Sequence, residues 1–138
     1  MPKLTSVLLV DDDPTNNFLN ERLLKRLDVA DQILVAHNGQ EALDLLRRSA
    51  DTPPAFPPLI LLDIQMPIMN GIEFLHAYEQ LPAQQHATTV VVLTTSTDSR
   101  DLARLDGLPA VSRVNKPLTA EKLNSVLQLH FERQAPGH

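Results

Sequence analysis

The sequence alternates short apolar runs with segments whose apolar residues recur at helical spacing, and no other feature limits the fold as strongly. The apolar runs predict strands, and the spaced segments predict helices that bury one face. Strands and helices that alternate along a chain form a parallel sheet with right-handed crossovers and a helix layer on each face. The pattern therefore predicts an α/β fold with a doubly wound, five-stranded parallel sheet.

The predicted elements follow one another along the whole chain. We predict strands over residues 4–10, 32–36, 59–62, 89–93 and 110–114. We predict helices from Pro14, over residues 40–48, 71–78 and 98–105, and after Thr119. Residues 50–58 contain four prolines, which exclude a helix there and indicate an exposed connection.

The first and last helices show their starts and their buried faces in the sequence. Asp13 and Thr119 can cap them, because a side-chain oxygen at this position accepts a hydrogen bond from a free backbone N–H group. Residues three or four positions apart mark the faces that we expect to pack on the sheet: Leu19, Leu23, Leu24 and Leu27 in the first helix, and Leu123, Val126, Leu127 and Phe131 in the last.

The length of 138 residues, with 43% of them hydrophobic, suits one globular domain. We expect residues 1–138 to form a single domain with a core at about 4–131 and a flexible tail at 132–138. No stretch of about 18 consecutive apolar residues occurs, and the N-terminus lacks a signal-peptide pattern. We therefore expect a cytoplasmic protein that does not contact a membrane.

Composition excludes several classes of function. The net charge of −5 argues against direct nucleic-acid binding, which requires clustered Lys and Arg. The chain has no cysteine, so disulfides, thiolate zinc sites and cysteine nucleophiles are excluded. The five histidines lack metal-ligand spacing, and the glycines match neither a dinucleotide fingerprint nor a phosphate-binding loop.

Four of the five predicted strands lead into a charged or hydroxyl side chain. Asp11 and Asp12 follow the first strand, Asp63 the third, Thr94 the fourth, and Lys116 comes shortly after the fifth. Ligands of open parallel sheets bind beyond the carboxyl ends of the strands, so these side chains are expected to share one crevice. Each residue alone would usually be a helix cap, a turn residue or a surface charge. The combination indicates a functional site.

The chemistry of this residue set points to phosphoryl transfer. Neighbouring carboxylates repel one another, and a hard divalent cation such as Mg²⁺ removes that cost by taking oxygen ligands. Mg²⁺ held by few carboxylates also coordinates phosphate oxygens. An Asp carboxylate could act as nucleophile, while Lys116 could supply positive charge and the Thr94 hydroxyl a hydrogen bond.

Four motifs in this order resemble the CheY-like response-regulator receiver family of two-component signalling systems. They are Val10-Asp11-Asp12, Leu62-Asp63-Ile64-Gln65-Met66-Pro67 with Asn70-Gly71, Leu93-Thr94-Thr95-Ser96, and Asn115-Lys116-Pro117. The resemblance runs from about Leu4 to Phe131 and is closest to the stand-alone, single-domain type. It implies a flavodoxin-like (βα)5 fold with strand order 2-1-3-4-5.

The resemblance also implies a role for each site residue. Asp63 would accept a phosphoryl group from a sensor histidine kinase, a phosphotransfer protein or a small donor such as acetyl phosphate. Mg²⁺ would be held by the carboxylates of Asp12 and Asp63, by the backbone carbonyl of Gln65, and by Asp11 through water. Lys116 would pair with Asp63 and then with the phosphoryl group, to which the Thr94 hydroxyl would also bond.

The implied output is a conformational switch rather than enzymatic turnover of a substrate. Phosphorylation would shift the equilibrium between two conformations in which the last strand and its neighbouring helices pack differently. The signal would pass to a downstream protein by contact or onward phosphotransfer, from a monomer or a weak homodimer. Arg113 departs from the family pattern, since it stands where receivers often carry an aromatic ring that turns inward on activation.

Two other functions fit parts of the sequence. Residues 11–15, Asp-Asp-Asp-Pro-Thr, match the Asp-x-Asp-x-Thr motif of haloacid-dehalogenase-type phosphatases, in which Asp11 would be the nucleophile. That interpretation leaves the segment around Asp63 unexplained and lacks a further acidic pair after Lys116. The other alternative is a receiver-like interaction module that is never phosphorylated, since a fold alone does not fix activity.

Overall fold

A computed structural model describes residues 3–49, 57–64, 66–81, 88–94, 103 and 112–132. The described strands form one parallel sheet in the order β2-β1-β3-β4-β5. Their bounds are β1 Leu4–Val10, β2 Ala30–Ala36, β3 Leu59–Asp63, β4 Thr89–Thr94 and β5 Ser112–Asn115. The predicted flavodoxin-like strand order, 2-1-3-4-5, is confirmed.

The described helices follow the strands as the alternation predicts. They are α1 Pro14–Arg26, α2 Gly39–Ser49, α3 Gly71–Glu79 and α4 Ala120–Leu127, and a short π-helical segment, Gln128–Glu132, continues from α4. The predicted helix over residues 98–105 lies outside the described residues except for Ala103, as does most of the proline-rich connection. Within the described part of the chain, no helix has the length and apolar character needed to cross a membrane.

The sheet is covered on both faces, which is why its central strand is apolar throughout. All five residues of β3 are buried. Alternate residues of β3 face opposite sides: Ile60 and Leu62 pack with α2 and α3, while Leu59 and Leu61 pack with α1 and α4. A strand buried on both faces has no position for a polar residue before its end.

The predicted helix caps are confirmed, but one predicted core residue is wrong. Asp13 accepts a hydrogen bond from the Thr15 N–H group at 2.9 Å, and Thr119 accepts one from Lys122 at 3.2 Å. Leu19, which the leucine spacing placed on the buried face of α1, is 53% exposed. At about 100° per residue, Leu19 lies about 140° around the helix from the fully buried Leu24.

A polar residue occupies the buried stripe of α1 instead. Asn17 precedes Leu24 by seven residues, which is two turns of helix, and it is only 5% exposed. Leu23 and Leu27 pack against the same core cluster as Leu24. The buried face is therefore defined by Leu23, Leu24 and Leu27 with Asn17 at its start, a pattern that a search for apolar residues alone does not detect.

Candidate functional site

The carboxyl ends of β1, β3, β4 and β5 lie side by side at one edge of the sheet, as the parallel pairing requires. Val10 of β1 pairs with Leu62, so the acids that follow it come next to Asp63 at the end of β3. Asp63 pairs with Leu93, and Thr94 at the end of β4 pairs with Asn115 of β5. The register thus brings the predicted site residues to a common rim.

Three carboxylates meet at this rim. Asp11, Asp12 and Asp63 each present an oxygen atom within 4.8 Å of the others. Asp11 is 4% exposed and Asp63 8%, whereas Asp12 faces solvent. Among the described residues, this is the one group of three acids or histidines close enough to hold a metal ion together.

Lys116 brings a positive charge into the same pocket. Its ammonium lies 3.1 Å from a carboxylate oxygen of Asp63 and 3.2 Å from one of Asp11. The Lys116 side chain is only 16% exposed, so both ion pairs are shielded from solvent. Lysine is a compact point charge on a flexible stem, which suits it to exchange one oxygen partner for another.

Burial has the largest effect on the pKa of Asp63. It raises the pKa of Asp63 above its ordinary value because it disfavours the charged carboxylate, and the Lys116 hydrogen bond and charge only partly oppose this. The negative charges of Asp11 and Asp12 raise the pKa further. For Lys116, burial alone would lower the pKa, but Asp63 and Asp11 together raise it above the ordinary value. The pocket holds more negative charge than Lys116 neutralises.

The acidic loop after β1 is fixed by hydrogen bonds from its own helix. The Asp13 N–H group donates to a carboxylate oxygen of Asp11 at 2.9 Å. The buried Asn17 amide donates to the backbone carbonyl of Asp11 at 2.8 Å, and Asn16 donates to its carboxylate at 3.4 Å. The roles of both asparagines were missed from the sequence. The one indication for Asn17 was its position on the buried face of α1, in line with Leu24.

Thr94 and Lys116 are linked through their backbones. The Lys116 N–H group donates to the Thr94 carbonyl at 2.9 Å. Thr94 is 4% exposed and ends β4 next to the strand that carries Asp63. Thr94, whose hydroxyl is predicted to assist the reaction, is therefore buried at the rim, one residue beyond the register partner of Asp63.

The start of α3 packs directly behind Asp63. Asn70 caps this helix in a reciprocal capping box with Glu73, in which both hydrogen bonds are 2.9 Å long. A Cβ atom on Gly71 would lie 2.5 Å from the Asp63 carbonyl oxygen and 2.8 Å from the Ile64 Cα atom. Only glycine fits this close approach without a backbone shift.

Of two further predicted features of the site, the structure describes only one. Gln65, whose carbonyl was expected to bind the metal, lies outside the described residues. Arg113 lies on β5 and is exposed. The inward-facing ring that receivers often have at the latter position is thus replaced here by a long charged side chain on the surface.

The donor set fits a hard divalent cation. It consists of carboxylate oxygens on neighbouring strands, which Mg²⁺ and Ca²⁺ prefer over nitrogen or sulfur. Burial is the main cause of the raised pKa of Asp63, and the negative charges of Asp11 and Asp12 add to it; a bound cation would relieve this repulsion between the acids. An acidic triad of this kind is typical of the Mg²⁺ site of receiver domains.

Comparison with known proteins adds an independent line of evidence. Residues 7–128 match the family model described as the response regulator receiver domain. The probable methanogenesis regulatory protein FilR2 of Methanothrix harundinacea is 34% identical over 122 residues, which cover 88% of this chain and 78% of FilR2. The transcriptional regulatory protein CpxR of Escherichia coli is 41% identical over 91 residues, or 66% of this chain, but this chain spans only 34% of CpxR.

Solved structures agree with the fold. A two component response regulator from Cytophaga hutchinsonii superimposes with a TM-score of 0.83 and 32% identity, over 93% of this chain and 97% of that one. The bacteriophytochrome response regulator AtBRR gives a TM-score of 0.76 at 32% identity, with 92% of each chain covered. Similarity in sequence and similarity in structure therefore converge on one family.

Proposed function

The chain belongs to the response regulator receiver family of two-component signalling, a class of signalling switches, and on that premise we propose that it is phosphorylated on Asp63. The observation that carries this proposal is the bridging of Asp63 and Asp11 by Lys116 at 3.1 and 3.2 Å. An enclosed carboxylate beside an ammonium and further acids is the arrangement that a phosphoacceptor requires.

The proposed reaction is a displacement at phosphorus. A carboxylate oxygen of Asp63 forms a P–O bond while the donor's P–N bond, in a phosphohistidine, breaks and its electron pair returns to the imidazole nitrogen. The Lys116 ammonium is placed to follow the charge from the carboxylate to the phosphoryl oxygens. The Thr94 hydroxyl, at the neighbouring strand end, donates a hydrogen bond to the phosphoryl group.

The cation that fits the site is Mg²⁺. By the family pattern, Asp12 and Asp63 would hold it through their carboxylates, Gln65 through its backbone carbonyl, and Asp11 through water. When bound, it supplies positive charge that offsets the repulsion between carboxylate and phosphoryl oxygens. Asp11 is held in the pocket by the Asn17 hydrogen bond to its backbone carbonyl and by the ion pair of its carboxylate with Lys116.

The wider role follows from the same proposal. The donor is the phosphohistidine of a sensor kinase or a phosphotransfer protein, and the output is contact with a downstream protein or onward phosphotransfer. Residues 4–131 act as one receiver unit in a cytoplasmic setting. In the phosphatase alternative, Asp13 is the second aspartate of the motif and would act as a general acid. This alternative is disfavoured because Asp13 is engaged as the N-cap of α1.

The test is intact mass spectrometry after incubation with acetyl phosphate and Mg²⁺. We expect one added phosphoryl group in the unaltered chain, and none in Asp63→Asn or with EDTA. Asp13→Asn keeps a capping oxygen and serves as a matched acidic control that should still be labelled.

Two results would contradict the proposal. Labelling that survives Asp63→Asn but is lost in Asp11→Asn would support the phosphatase-like chemistry. No labelling under any condition, together with no binding of beryllofluoride, would support the interaction module.

A further inference from the structure

A second lysine contacts the backbone that carries Lys116. The Lys122 ammonium donates to the Asn115 carbonyl oxygen at 2.8 Å and to the Pro117 carbonyl oxygen at 3.1 Å. These are the residues immediately before and after Lys116. One side chain therefore bridges the chain on both sides of the positive charge in the pocket.

The peptide unit between Asn115 and Lys116 is held by both of its polar groups. Its N–H group donates to the Thr94 carbonyl at 2.9 Å, and its carbonyl accepts from Lys122 at 2.8 Å. The first contact belongs to the pairing of β4 with β5, which any parallel sheet makes. The second depends on a particular side chain, so it can be removed without touching the sheet.

The place of Lys122 in its helix makes this contact favourable. Lys122 is the third residue of α4, and its N–H group is bound by the cap residue Thr119 at 3.2 Å. A positive charge in the first turn opposes the helix dipole, whose N-terminal end is itself positive. The two carbonyl oxygens of the Lys116 loop supply the negative partial charge that offsets this.

We propose that Lys122 is a positioning residue for phosphoryl transfer, which fixes the backbone on both sides of Lys116 and thereby holds the Lys116 ammonium at Asp11 and Asp63. This inference rests on the proposed function, since it concerns the same reaction. Lys122 touches neither the carboxylates nor the phosphoryl group. It acts only through the backbone of residues 115–117.

The physical basis is that a small displacement of a charged group lowers the reaction rate strongly in a site that is shielded from solvent. A misplacement of about 1 Å can reduce a rate by a large factor. Without Lys122, the Lys116 loop keeps its β-sheet hydrogen bond and its two ion pairs, so the ammonium stays nearby but less well fixed. We expect a partial loss of rate rather than abolition.

The experiment compares Lys122→Met and Lys122→Gln with Lys122→Arg and with the control Lys25→Met. Lys25 is an exposed lysine of α1 that pairs with Glu21. With acetyl phosphate and saturating Mg²⁺, we expect the maximal phosphorylation rate of Lys122→Met and Lys122→Gln to fall about three- to tenfold. The Mg²⁺ concentration for half-maximal rate should change by less than about twofold, because the carboxylates are unaltered.

Two further readouts separate positioning from a purely structural role. The NMR signal of the Lys116 ammonium, assigned by its loss in Lys116→Arg, should shift in Lys122→Met and stay unchanged in Lys25→Met. Lys122→Arg should restore about half of the rate or more, because a guanidinium can donate to two carbonyl oxygens at once.

Each outcome decides the matter. A Lys122→Met rate equal to that of Lys25→Met would overturn the inference, and so would a slower rate that only matches a lower folded fraction in thermal unfolding with the Lys116 signal unchanged. If the unaltered chain is not labelled, the proposed function fails. The Lys116 signal would then still show whether Lys122 positions it, so the two failures are distinguishable.

Discussion

A buried ionisable side chain reports its surroundings through its pKa, and this chain contains one that absorbance can follow directly. Tyr78 is the single tyrosine, there is no tryptophan, and its ring is only 1% exposed. Burial raises the pKa of Tyr78 above its ordinary value, and hydrogen bonds with Thr88 oppose this only in part. The ring also stacks on Phe74, with a centroid distance of 6.0 Å.

We predict that Tyr78 ionises above pH 10 in the folded chain, as measured by absorbance at 295 nm. The unfolded tyrosine loses its proton near pH 10, whereas the folded one retains it. The stabilisation linked to Tyr78 is therefore fully present below about pH 10 and is lost as the pH rises through the folded pKa. The same titration in guanidinium chloride is the control, and an identical midpoint in both conditions would contradict the prediction.

At the scale of elements, the loop from β3 to α3 is held close to its neighbours by two glycines. Gly71 packs against the backbone of Asp63 and Ile64. Gly39, at the start of α2, donates to the Met69 carbonyl at 2.9 Å, and a Cβ atom there would lie 2.7 Å from the Met69 side chain. The loop behind Asp63 is thus enclosed by two helix starts.

We predict that Gly71→Ala lowers the free energy of unfolding by about 2 kcal/mol, because both nearest atoms belong to the backbone and must shift. Gly39→Ala should cost less, about 1 kcal/mol, because its nearest contact is with the Met69 side chain, which can move, and the Met69 carbonyl oxygen at 2.9 Å needs only a small backbone shift. Urea denaturation measures both. The reverse order of the two costs, or no cost for Gly71→Ala, would show that the close approach at Gly71 is easily relieved.

The elements also show what the sequence can and cannot predict. The central strand and the acid positions were predictable, because buried parallel strands are nearly pure apolar runs and end at a polar residue. The strand order was implied by the resemblance to the receiver family. The roles of Asn17 and Lys122 were not, because each acts on a backbone carbonyl that has no sequence signal of its own. Leu19 was misplaced because leucine spacing alone does not fix the rotation of α1 against the sheet.

At the scale of the whole molecule, Lys116 and a bound metal ion would both supply positive charge to one acidic pocket. Lys116 pairs with Asp11 and Asp63, and no other cation contacts these two acids among the ion pairs of the described residues. Removing the ammonium leaves two shielded carboxylates without a positively charged partner. Stability should then depend on a bound cation more strongly than before.

We predict that Lys116→Met lowers the free energy of unfolding without metal by about 2 kcal/mol, less than for a fully buried pair because the pocket opens at Asp12. Added Mg²⁺ should raise the melting temperature of Lys116→Met by more than that of the unaltered chain, since binding to the folded state stabilises it. Lys25→Met should behave like the unaltered chain, and Asp12→Asn should reduce the Mg²⁺ effect. An equal rise of the melting temperature with Mg²⁺ in Lys116→Met and in the unaltered chain would contradict this prediction.

The ion pair between Asp11 and Lys116 joins residues that are 105 positions apart. Synthesis at 5–20 residues per second places about 5 to 20 s between the emergence of the first acid and that of its partner. During that interval a nascent chain carries Asp11, and later Asp63, without the lysine that completes the pocket. On the proposed function, we therefore expect competence for phosphorylation only once the last strand has joined the sheet, and a chain that stops before residue 116 should not compete for the phosphodonor.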